Sequence, residues 1–415
     1  MCFSIVYELQ APRPTPFQEY TDPSDYILIE TDDLDSKEFM KRPHLPERLD
    51  PNSDPIVVGP PRQLGYGQWL VTRMRDVRTV LVAPETTVDL LTPKAILRAQ
   101  QRDAECNEST LAILHTIGRT HRQPNDAERR DAIAITRLFQ STLADQDLQV
   151  TFTTLRRPEG ATVDVMNAVI RPILGAWRAT ALGIDSILGQ RIEDGLLSLI
   201  LELEKQGIQD LALVEPLATA VLQDMSLLAS HCDIAREMPV HHWISPAFLA
   251  ILPLAYTSVS MLAHLADSPE LQGHLRLHRD RRADYLHEVE RLMNASRYLR
   301  RQIGAHGLDL GDVQLPPRSL AVLDCTAANR DPEVWPNPDL LQLDRAAYPS
   351  ASYAFGPLGC TGAQLSRVFL VKLLDAVLDL TMICTPVESQ AGDRLHTQWS
   401  MMRGYRSCRL MLRPL

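Results

Sequence analysis

A lone cysteine in a glycine-rich loop, within Ser352 to Leu370 (SYAFGPLGCTGAQLSRVFL), constrains this chain more than any other stretch. Gly356, Gly359 and Gly362 allow a tight turn around Cys360, and the apolar spacing that follows is helical. A sulfur placed in this way reads as a thiolate ligand or as the remnant of one. The other six cysteines (Cys2, Cys106, Cys232, Cys325, Cys384, Cys408) are scattered and form no C-x-x-C pair, so neither zinc nor an iron–sulfur cluster is indicated. They read as reduced, buried, small hydrophobes.

The rest of the chain frames that loop. Residues 1–60 are rich in proline and acids (PRPTP, DPSD, RPHLPERLDPNSDPIVVGPP) and read as an extended lead-in with a short helix over 34–41. A strand is predicted at Gln68–Thr72, with Trp69 and Val71 on one face, followed by a helix from Asp76. Helical spacing covers residues 126–200, 214–228, 246–292 and 362–380. Residues 308–331 read as short strands and turns. The expectation is a mainly α protein with a small β-rich part, residues 61–415 forming one domain. A net charge of −10 provides no field to attract nucleic acid or an anionic membrane. The N-terminus MCFSIVYELQAPRPTP lacks a basic flank and a long apolar region, so a cytoplasmic location is expected. No G-x-G-x-x-G or Walker loop provides a nucleotide site. His241 and His242 lack a third metal ligand at workable spacing.

Four features occur in a fixed order: Glu288-Val289-Glu290-Arg291, then Arg301, then AANRDPEVWPNPDLLQLDR at Ala327–Arg345, then the Cys360 loop. This order and spacing resemble the cytochromes P-450, the haem-thiolate monooxygenases. The resemblance implies a cytochrome P-450-like fold with a long central helix, in which Glu288, Arg291 and Arg330 are structural residues joining the E-x-x-R helix to the meander. It implies that Arg301 anchors a haem propionate and that Cys360 ligates iron, if haem is bound.

The chain departs from the family at three places. Cys360 comes five positions after Phe355, where the family pattern has seven. On the early helix, QPNDAERRDAI offers Ala127 and Asp131 where a histidine and an arginine would hold the propionates; His115 and Arg119 are the rival register. The acid and threonine of the central helix fall on Leu252 and Pro253, with Thr257 and Ser258 about a turn further on. Together these departures resemble the haem-free auxiliary proteins of antibiotic glycosyltransferases, as do Pro23-Ser24-Asp25-Tyr26, ILIE, Thr31-Asp32-Asp33 and the Phe355-Gly356-Pro357 stub.

The preferred expectation is therefore a haem-free, non-catalytic partner that binds and activates a glycosyltransferase of macrolide or anthracycline metabolism, with no cofactor and no catalytic residue. The alternative is a haem-thiolate oxidase of secondary metabolism, with haem b on Cys360, a redox partner and atypical proton delivery.

Overall fold

The computed structural model describes residues 56–65, 67–88, 126–144, 148–155, 160–204, 211–345, 348–356, 359–386, 394–397 and 401–415. The helix expected over 34–41, the segment Pro23–Asp33 and the pair His115/Arg119 lie outside the described residues.

In chain order the elements begin with β1 (Arg62–Gly65), β2 (Gln68–Val71), α1 (Met74–Val82), β3 (Thr87–Val88), α2 (Asp126–Ala144), α3 (Leu148–Leu155) and β4 (Ala161–Asp164). Next come α4 (Arg171–Leu182), α5 (Ser186–Glu204), α6 (Leu211–His231), α7 (Asp233–Glu237), α8 (Val240–Ile244), α9 (Ile251–Ala266), α10 (Pro269–Leu277) and α11 (Arg282–Leu292). The chain closes with β5 (Tyr298–Gln302), β6 (Leu308–Asp309), β7 (Gln314–Leu315), β8 (Leu320–Asp324), α12 (Cys325–Ala328), α13 (Ala363–Leu380), β9 (Thr381–Cys384), β10 (Arg394–His396) and β11 (Tyr405–Pro414). π-Helical turns lead into α4 at Met166–Ile170 and into α9 at Ser245–Leu249. This is the mainly α architecture with a small β part that the spacing predicts.

One five-stranded sheet has the order β1-β2-β8-β5-β3, and β11 joins β10, β4 and β9 in a second. As expected, Val71 and Trp69 pack into one cluster while Leu70 packs into another across the strand. The helices bury a separate, larger core. In it Trp177 sits between Phe139, edge-on at 5.2 Å, and Phe369, stacked at 5.6 Å, and its Nε1–H donates to the Phe139 carbonyl.

One expectation needs adjustment, and two further features stand beside it. The helical run over 246–292 is divided by breaks at Asp267–Ser268 and His278–Arg281, because Pro269 suits the first turn of a new helix rather than the interior of an old one. The arginines near residue 280 are not merely a solvated helix end. Arg282 is buried, reaching Asp375, Asp379 and the Leu275 carbonyl, so it fastens α11 to α13 and α10. The apolar stretch His242–Ala266 is long enough to cross a membrane but is mostly buried inside the fold, the pattern of a core helix.

Gly404 marks where β11 meets α9. Its φ of +131° disfavours a side chain, and an added Cβ would lie 2.8 Å from the Tyr256 Cβ. Gly404→Ala is therefore expected to lower stability by about 1–3 kcal/mol. A thermal melt overlaying that of the parent would refute this.

Candidate functional site

The first anchor of the site is the E-x-x-R pair. Glu288 and Arg291 share a face of α11, and both are buried. Glu288 accepts from Arg291 Nε and Nη2, each at 2.7 Å, from the Gln342 N–H at 3.0 Å and from Arg345 Nε at 3.3 Å. Arg291 also donates to the carbonyls of Asn329, Pro338 and Leu340. Burial alone would raise the Glu288 carboxyl, but the bonds from Arg291 and Gln342 outweigh it and hold the group below the usual range. Arg330 serves the same junction through Asp339 and the carbonyls of Thr326 and Leu292. Burial, reinforced by neighbouring Arg403, brings its guanidinium down to about 10.

This junction fixes where the next strand starts. In β5, pairing Leu299 with Leu323 and Arg301 with Ala321 turns alternate side chains the same way. Leu299 and Arg301 both line a cavity of about 220 Å³. Cys360 lines the same cavity, sixty residues later in the chain. Its side chain is accessible because it faces this space, although protein surrounds it closely. Burial accordingly pushes the thiol up, opposed by the N–H groups of Gly362 and Ala363 at the start of α13 and by the Arg367 charge.

The third wall is the start of α9. Pro253 lines the cavity, as does Thr257, four residues on and so on the same face. Leu252 is buried but is not among the lining residues. Ser258 faces elsewhere and donates to the Leu254 carbonyl within the helix. The hydroxyl one turn past the counted register is therefore the one that reaches the cavity. On α2, neither Ala127 nor Asp131 reaches it; Asp131 pairs at 2.5 Å with His242 Nδ1 on α8. Among the described lining residues, Arg301 is the one basic side chain.

Counting along the chain missed Glu290, which lines the cavity and carries a bidentate bond from Arg367. Its signal was the second carboxylate of Glu288-Val289-Glu290-Arg291. Two residues along a helix turn a side chain about 200°, so Glu290 must meet a different partner from Glu288.

No protein-family model matches the chain. It is 32% identical to biflaviolin synthase CYP158A1 of Streptomyces coelicolor over 155 residues, 35% of this chain and 36% of that protein. The chain thus spans about a third of the length of that curated relative. It is 23% identical to cytochrome P-450 107B1 of Saccharopolyspora erythraea over 372 residues, 84% of this chain and 90% of that protein. A solved structure of unusual cytochrome P-450-like monooxygenases involved in microbial secondary metabolism superposes with a TM-score of 0.66 at 15% identity, covering 87% of this chain and 95% of that one. The curated relatives contradict the expectation that the chain takes no cofactor, because they are cytochromes P-450, which are haem proteins.

Proposed function

We propose that this chain, which has the cytochrome P-450 fold, is a haem-thiolate oxidase of bacterial secondary metabolism with Cys360 as the iron ligand. The observation carrying this reading is the meeting of Cys360, Arg301 and Thr257 around one cavity. The donor set suits the group. Burial favours the protonated thiol of Cys360, but the N–H groups of Gly362 and Ala363 beside it would support its sulfur as a thiolate on iron, and Arg301 offers a propionate its charge-assisted partner. Ala250, Pro253, Leu254 and Leu370 supply an apolar wall. The cavity among the described residues is smaller than the about 300–1,000 Å³ usual for such sites.

Thiolate-ligated haem supplies dioxygen activation, with one oxygen atom entering the substrate and the other leaving as water. The chain's own residues do the rest. Arg301 neutralises and orients, and the apolar wall excludes water. Thr257 holds a proton at Oγ1 on the helix face where Pro253 cannot. Electrons come from a redox partner protein.

Thr257→Val is expected to lower turnover by about a hundredfold while leaving the absorbance spectrum of the loaded protein unchanged. Equal turnover by the two proteins would remove Thr257 from the mechanism.

The test of the whole reading is the spectrum of protein expressed with a haem precursor, before and after dithionite and carbon monoxide. A Soret band moving to the long-wavelength position of a thiolate-ligated carbonyl is expected. A colourless, well-folded protein that co-purifies with a glycosyltransferase would overturn the reading.

A further inference from the structure

The segment leading to Cys360 departs from ordinary backbone at two positions. Ala354 adopts φ +56°, rare for a residue with a side chain, and Gly356 adopts φ +70°. At Gly356 an added Cβ would lie 3.2 Å from the Val82 Cγ1. Such backbone persists only where its surroundings over-determine it.

The surroundings converge on one carboxylate. Glu290 is 5% exposed. Its Oε1 accepts from Arg367 Nε at 2.9 Å and from the Tyr353 hydroxyl at 3.3 Å, and its Oε2 accepts from Arg367 Nη2 at 3.2 Å. The Glu290 backbone carbonyl accepts from the Ser352 hydroxyl at 2.6 Å. The Tyr353 carbonyl then accepts the Cys360 N–H at 2.8 Å, and the Arg367 guanidinium lies 5.1 Å from the Tyr353 ring centre. The Glu290 carboxylate of α11 thus joins Tyr353, ahead of the cysteine loop, to Arg367 in α13.

We infer that the Glu290 carboxylate positions this loop: acting through Tyr353 and Arg367, it sets the direction in which the Cys360 sulfur enters the cavity. The spectroscopic consequence rests on the reading of Cys360 as iron ligand, whereas the clamp itself does not.

The experiment compares Glu290→Leu and Glu290→Gln in the full chain. In haem-free protein, the rate at which iodoacetamide alkylates Cys360 is followed by peptide mass spectrometry. Loss of the clamp in Glu290→Leu is expected to raise that rate about tenfold or more, as a fixed loop becomes locally open. Glu290→Gln retains an acceptor oxygen for Tyr353 or Arg367 and is expected to stay within about threefold of the parent. In loaded protein, Glu290→Leu is expected to divide the carbonyl Soret band between the thiolate position and a shorter wavelength, and Glu290→Gln to restore the single band.

A Glu290→Leu protein with the parent's rate and band would overturn the inference, as would a Glu290→Gln protein as damaged as Glu290→Leu. Should Glu290→Leu fail to fold, Tyr353→Phe removes one hydroxyl from the clamp, and an unchanged alkylation rate there overturns it equally. If the parent shows no thiolate band, the reading of Cys360 as ligand fails, while the alkylation rates still decide the clamp.

Discussion

Glu288→Ala is expected to cost the fold about 3–5 kcal/mol, the largest stability effect of any substitution considered. The carboxylate is the shared counter-charge of two guanidinium groups, Arg291 and Arg345, whose side chains are 3% and 9% exposed. Without it, both cations stay buried, their charge unbalanced and their Nε–H groups without the carboxylate they donate to, while backbone carbonyls still take their Nη groups. The loss is not confined to α11, since Arg291 and Arg345 between them hold the carbonyls from Asn329 to Leu340.

The measurement is a urea midpoint across pH. Because the folded carboxyl is depressed below its ordinary value, the stability it contributes is fully present above the unfolded value of about 4.3 and is lost as the pH falls through the lower folded value. The parent and Glu288→Ala should therefore differ most near neutrality and converge only in acid below that point. A soluble variant with the parent's midpoint at neutral pH would show that the meander does not depend on this carboxylate.

Cys360→Ala is expected to have the opposite profile: complete loss of the thiolate-ligated carbonyl band and of oxidase turnover, with the stability of the haem-free fold changed by less than about 0.5 kcal/mol. The sulfur faces the cavity, so removing it widens a space already present and makes no separate void. Its neighbours Gly362 and Ala363 keep their place at the start of α13, whose stability comes from Phe369, Leu370, Leu373 and Leu374 in the core. Retention of the long-wavelength band in Cys360→Ala would assign the iron to another ligand. A large drop in melting temperature would make Cys360 a structural residue. The two substitutions thus separate what holds the site from what acts in it.

Much of this was legible in the residues themselves. Apolar periodicity located α2, α4, α5 and α13, because a helix facing a core must repeat near 3.6 residues. The order and spacing of Glu288, Arg291, Arg301 and Cys360 marked the site through the family they resemble. The composition and charge constrained partners but no geometry.

Other features depend on contacts that no local spacing encodes. Counting along α9 pointed to Leu252 and Pro253, yet Thr257 is the hydroxyl at the cavity wall, since which face of a helix meets a cavity is set by the elements packed around it. Asp131 fell where a cation was expected, and its partner proved to be His242, more than a hundred residues away. Glu290 stood without an assigned role between Glu288 and Arg291, and only the fold brings Tyr353 and Arg367 to it.

By itself, the sequence determined which helices form, the E-x-x-R pair and the presence of one cysteine in a glycine-rich turn, because these follow from side-chain chemistry and short-range spacing. Only the tertiary structure decided which side chains share the cavity and what clamps the loop, because those depend on long-range packing that brings α9, α11, β5 and α13 to the same point.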